Sequence, residues 1–152
     1  MTTSTPGPRA PAPPPPGSSG RADWARFGGS CLRILSVLLV LDVLLQAALA
    51  GLFVTGDVSL LAWHAANAQV VGLLAVLVCG AAVLVWRAGR RSGWPALLGA
   101  VLVAAVLLQH GLGESRELGG HLPLGMTVFG LATVLAYWAS ALPAAGHEEV
   151  GP

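Results

Sequence analysis

Four long apolar runs dominate the chain, at residues 31–54, 63–86, 94–112 and 121–142. Each approaches or exceeds the ~20 helical residues needed to cross the hydrocarbon core of a bilayer. The polar connectors TGDVSLLA, RAGRRSG and GESRELGG separate them. Connectors this short force neighbouring runs to lie antiparallel. In lipid no water is present to satisfy a bare backbone N–H or C=O, so each run must be helical. The pattern predicts an all-α fold, an antiparallel four-helix transmembrane bundle over residues 23–142. Asp57 is the expected N-cap of a second helix that starts as early as Val58.

The flanks read differently. Residues 1–22 contain PGPRAPAPPPPGSSG, where proline removes backbone donors and nothing apolar is available to bury. A disordered Pro-rich tail is expected there, and a flexible C-terminal tail over residues 143–152. The first apolar run is too long for a secretory signal, so the tail is expected to be followed by a span.

Composition agrees with a membrane class: 55% of residues are hydrophobic and only 10% charged, and mean hydropathy is +0.73. A soluble domain carries about 25% charged residues. A net charge of +1 gives no basic surface for nucleic acid. Placement of charge is more informative. Arg9, Arg21, Arg26 and Arg33 precede or open the first span, Arg87, Arg90 and Arg91 sit between the second and third, and only Arg116 falls in another loop. The positive-inside rule then puts both termini in the cytoplasm of a multi-pass plasma-membrane protein. Trp86, Trp94, Tyr137 and Trp138 mark the inner interface and Trp63 the outer one. Cys31 and Cys79 fall on the reducing side with no C-x-x-C, so they read as packing residues.

This topology gathers three of the four histidines. His64 opens the second span, His121 the fourth, and His110 ends the third, so all three lie at the outer end; His147 is in the tail. Two neutral imidazoles on facing helices are a ligand set for haem iron, and bundles build such sites from inward side chains. A planar macrocycle needs slim helical turns beside it. The His64 face continues through Ala68, Gly72 and Ala75, and the His121 face through Gly125, Val128 and Ala132. Small stripes also let membrane helices pack with no cofactor at all. His110 is expected to be a supporting donor, a substitute ligand or a lining residue. Pro123 biases the backbone just before it away from helix, which would set His121 outside the helix proper.

The order of helices and the stretch LLQHGLGESRELGGHLPLGMTVFGL resemble one half of haem A synthase, and look like small actinobacterial integral membrane proteins. The resemblance spans residues 31–142. It implies a four-helix bundle with a histidine pair, here His64 and His121, at the outer ends of helices two and four. The synthase motif has glutamate three residues before the first histidine and arginine after it; those positions hold Leu61 and Ala65. The implied function is therefore haem binding rather than oxidation of a haem methyl. Bundles of the cytochrome b561 type place histidine pairs at both faces, and the inner face here has none.

Other polar residues fall within the spans. Asp42 lies near the midplane of the first, where an ionised aspartate costs about 2.5–3.5 kcal/mol on insertion scales. Gln46 is one turn further out, Asn67 nearly one turn from His64, and Gln109 adjoins His110. A polar file from Asp42 through Gln46 to Asn67 and His64 is expected, serving proton movement, an acidic partner to a cofactor or histidine or, as a neutral acid, a helix-to-helix hydrogen bond. Arg116 is the one outer basic side chain placed to meet a haem propionate.

Three functions follow as expectations. The first is a bis-histidine, b-type haem protein for electron transfer or cofactor handling. The second is a non-enzymatic accessory or structural subunit of a membrane complex. The third is a small proton-coupled transporter using Asp42, for which neither an inverted repeat nor a broken helix is evident. The partners called for are the lipid bilayer and either a membrane redox partner or further copies of the chain. No G-x-S-x-G, H-E-x-x-H or Walker sequence supports hydrolytic or phosphate chemistry.

Overall fold

The computed structural model describes residues 18–89 and 92–142. Four helices make up the fold: α1 (Ser18–Val54), α2 (Leu60–Gly89), α3 (Trp94–Glu114) and α4 (Leu118–Ser140). Most of the expected N-terminal tail, the C-terminal tail with His147, and Arg9, Arg90 and Arg91 lie outside the described residues. All four helices are long and apolar enough to cross a membrane.

Each helix packs against its sequence neighbours, and α1 closes the ring against α4. The diagonal partners stay apart: no Cα of α2 comes within 8 Å of an α4 Cα, and the same holds for α1 and α3. The interior mixes small residues, including Ala75, Ala82, Ala96, Ala132 and Ala139, with leucines and valines such as Leu39, Val78, Leu102 and Leu135. The outward surface carries Leu41, Leu45, Leu73, Val101 and Leu108. Water would not tolerate so continuous an apolar surface on a monomer, whereas lipid is its natural solvent. Small interior residues let helices approach closely where no hydrophobic effect drives them together. At Gly99 an added Cβ would stand 3.0 Å from the Cys79 Cα, so α3 and α2 touch there nearly backbone to backbone.

Three boundaries differ from expectation. α1 starts at Ser18, inside the stretch assigned to the tail, and runs 37 residues, about 55 Å at 1.5 Å per residue. Close packing on α2 begins further along, at Gly28, where a Cβ would meet Leu84 and Val85 at 3.1–3.3 Å; residues 20–24 are exposed. α2 begins at Leu60, not Val58; the Asp57 carboxylate accepts the Ser59 hydroxyl (2.5 Å) instead of capping the helix. His121 lies inside α4 despite Pro123. The carbonyl four residues before that proline is Gly119's, near the helix start, where a missing bond costs least.

The two hairpins repeat one another. α1 buries Leu32, Ser36, Leu39 and Val43, while α3 buries Pro95, Gly99, Leu102 and Val106 at the same spacing. α2 buries Val71, Ala75, Val78, Ala82 and Val85; α4 and its end bury Val128, Ala132, Leu135, Ala139 and Leu142, again in register. With the ring of contacts, this is the pattern of a two-fold relation along the bundle's long axis. It exchanges α1 with α3 and α2 with α4.

Candidate functional site

The repeat is sharpest where the first helix of each hairpin carries a glutamine and the second a histidine. In the first hairpin, His64 Nδ1 lies 3.1 Å from the Gln46 carbonyl oxygen, and Gln46 Nε2 donates to the His64 carbonyl at 3.0 Å. In the second, His121 Nδ1 lies 3.1 Å from the Gln109 carbonyl oxygen, and Gln109 Nε2 donates to the His121 carbonyl at 2.9 Å. Each pair thus exchanges side chain for backbone twice across its hairpin. A carbonyl oxygen only accepts, so Nδ1 carries the proton in both neutral rings, and Nε2 keeps its lone pair.

The two clasps bring the imidazoles together. The ring centres of His64 and His121 are 6.3 Å apart with planes at 58°. Phe53 packs edge-on against His64, centre to centre 5.6 Å. Both histidines are half-buried. His64 Nε2 lies 3.3 Å from Gln46 Nε2, whose second N–H can donate to it.

The remaining candidate residues divide around this pair. Asn67 donates to Gln46 Oε1 at 2.9 Å and, at 3.4 Å, to the backbone oxygen of Asp42. The polar file thus runs through side chains from His64 to Asn67 but meets Asp42 at its backbone. The Asp42 Oδ2 atom is buried without a hydrogen-bond partner, as are Gln109 Oε1 and Ser36 Oγ. His110 is engaged elsewhere. Its Nδ1 lies 2.7 Å from the Val106 carbonyl and its Nε2 3.0 Å from the Ala68 carbonyl. Arg116 sits exposed at φ 59° in the loop 115–117 and forms no ion pair among the described residues. His121 N–H donates to the Glu117 carbonyl, so α4's first turn follows directly on that loop.

The slim stripes have occupants that the sequence did not disclose. A Cβ at Gly72 would meet His110 Cε1 at 3.6 Å, and a Cβ at Gly125 would meet Gln109 Nε2 at 3.0 Å. Both glycines therefore admit polar side chains of α3. Gly113 does the same for His121, whose Cε1 would be 3.2 Å from an added Cβ.

No group of three or more His, Cys, Asp or Glu side chains converges among the described residues. A metal held by protein ligands alone usually takes at least three. Two imidazoles suit a metal that brings its own equatorial ligands. The 6.3 Å between ring centres equals what two metal–imidazole bonds of about 2 Å each, with the ring radii added, would span if both Nε2 atoms faced one point. The proton on Nδ1 fits as well, since a hydrogen-bonded Nδ1–H directs the other nitrogen to a metal. The Gln46 amide beside His64 Nε2 would have to yield that position.

The duplication itself went unread in the sequence, although a signal was present. VLLQAALA at residues 43–50 and VLLQHGLG at 106–113 match at five positions and pair small residues at two more. The histidine follows its glutamine by 18 residues in one hairpin and 12 in the other, which hides the repeat from a fixed-period search.

Comparison of the chain with family models, with curated proteins and with solved structures finds no match.

Proposed function

We propose that the chain is an integral membrane haem-binding protein with one b-type haem, for which His64 and His121 are the axial ligands. The single observation that carries the reading is the matched imidazole pair. Two rings sit 6.3 Å apart, each with Nδ1 committed to a glutamine carbonyl of its own hairpin. When bound, the haem would supply one-electron chemistry, which suits electron transfer or cofactor handling. The chain's own residues would fix ring orientation and tautomer and exclude water. Arg116 is the cation available to a propionate at the outer surface. The helix order and histidine placement that resemble one half of haem A synthase in the sequence are in keeping with the same reading. The arginine asymmetry supports a plasma-membrane protein with both termini cytoplasmic.

An absorption spectrum of protein purified with haem supply tests this. A low-spin spectrum with a sharp Soret band is expected, lost in both His64→Ala and His121→Ala. A colourless protein, or a spectrum indifferent to both substitutions, overturns it.

A second reading is an accessory subunit whose polar layer only holds the helices together. The observation in its favour is that His110 and Gln109 occupy the Gly72 and Gly125 notches. Reproducible co-purification with a larger membrane complex, unchanged by the histidine substitutions, would select it.

A further inference from the structure

A shallow, widely open depression lies between α1 and α2 at the end of the bundle opposite the histidines. Gly20, Arg21 and Trp24 line it from α1, and Leu84, Arg87 and Ala88 from α2. We infer that this depression binds the headgroup of an anionic phospholipid, with Arg21 and Arg87 holding the phosphate from two sides.

Free charge is the first ground. Arg26 on the same helix is spent on Asp23. Arg33 is spent on α4, donating to the Leu142 carbonyl at 2.5 Å and the Ala139 carbonyl at 3.3 Å. Arg21 and Arg87 have no carboxylate partner among the described residues. The Arg87 guanidinium stacks 5.5 Å from the Trp86 ring centre, which fixes its direction without consuming its donors. Guanidinium is the side chain best shaped to grip a phosphate through paired N–H groups.

Depth is the second. Trp86 lies against Gly93, and Trp94 packs on Trp138 with centres 5.4 Å apart, so tryptophans from three helices form a belt at one level. Such belts sit at the membrane interface. Gly28 is at nearly that level through its contact with Leu84 and Val85. Arg87 is the residue after Trp86, and Arg21 is two turns beyond Gly28, about 10 Å. One headgroup layer adds about 5–7 Å beyond the hydrocarbon core, so Arg87 stands at its inner edge and Arg21 at its outer edge, and the long Arg21 side chain has to reach back to share a phosphate. Trp24 and Phe27, exposed and stacked edge to face at 6.0 Å, offer an apolar wall to the upper acyl chain. Basic clefts between helices at this depth suit anionic headgroups. The overshoot of α1 past the belt thereby acquires a use.

The test is native mass spectrometry of the full chain released from mixed micelles of phosphatidylglycerol and phosphatidylcholine. The wild type should retain phosphatidylglycerol in preference. Arg21→Gln and Arg87→Gln should each weaken retention roughly fivefold, as expected for one basic side chain at the surface. Arg26→Gln removes the same charge from the same helix and should change it by less than about twofold, because that guanidinium is already paired. Ala88→Phe keeps both arginines and fills the depression, so it should also lose the lipid. Equal loss in Arg26→Gln would overturn the proposal, leaving only diffuse attraction. Equal retention of phosphatidylcholine, or full competition by glycerol phosphate without acyl chains, would overturn it as well. All substituted positions except Ala88 are exposed, and an unchanged thermal melt checks folding.

Discussion

The hairpin α1–α2 and the hairpin α3–α4 solve one problem with different materials. Both place a glutamine and a histidine in reciprocal hydrogen bonds across the hairpin, and both bury the same ladder of positions below it. They differ at one rung of that ladder and in what surrounds it. The first has Arg33, Ser36, Asp42 and Asn67; the second has Ala96, Gly99, Ala105 and Leu124 in their places. The second has His110 where the first has Ala47. What the hairpins share is the machinery that orients two imidazoles. What they do not share sets how tightly each helix is held by its neighbours, so substitutions at paired positions should have unequal effects.

The largest inequality belongs to Gly99 and Ser36. A methyl group on residue 99 would press on the Cys79 Cα at 3.0 Å, and that atom belongs to the α2 backbone. Gly99→Ala should therefore force α3 and α2 apart, costing about 1–3 kcal/mol. Ser36→Ala, at the equivalent buried place, removes a hydroxyl that has no partner. That change should be neutral or stabilising, since an unsatisfied buried hydroxyl is itself a cost. Unfolding in mixed micelles titrated with SDS measures both. Equal destabilisation would mean that the hairpins are not packed in the unequal way described.

Arg33 comes next. It reaches from α1 to the last carbonyls of α4, while Ala96 leaves the end of α2 without a matching clamp. Charged donors satisfy C-terminal carbonyls well. Arg33→Gln should cost about 1–2 kcal/mol, discounted because the guanidinium is only half-buried. Hydrogen exchange should show the loss confined to the last turn of α4. Exchange that rises equally throughout the bundle would deny Arg33 its local role.

The four helices were legible from length and hydropathy alone, because lipid leaves a long apolar run few alternatives. The extension of α1 was not, since residues 18–30 carry charges and glycines and no apolar run. The depth of His64 and His121 could be read from topology, and their proximity agrees with it. The role of Gln46 and Gln109 could not, because reciprocal side chain to backbone bonds leave no periodic mark. The occupants of the Gly72 and Gly125 notches were not legible either. Smallness reports that something comes close, not that the neighbours are His110 and Gln109.

The smallest effects should come from the two glutamines, and here the inequality reverses their apparent equivalence. Gln46→Leu breaks the donation to the His64 carbonyl and also removes the acceptor of Asn67, which keeps only a 3.4 Å contact with the Asp42 backbone. Gln109→Leu breaks one donation, to the His121 carbonyl, and at the same time removes the buried Oε1 that has no partner. Polar bonds between membrane helices contribute about 0.6 kcal/mol on average and up to ~1.7 kcal/mol. Gln46→Leu should fall near the upper figure and Gln109→Leu near or below the lower one. The double variant should lose the sum, because the clasps lie in separate hairpins and share no bond. Mixed-micelle unfolding of the two singles and the double reads all three values. A coupling above about 0.5 kcal/mol would show that the clasps act as one unit through the facing imidazoles.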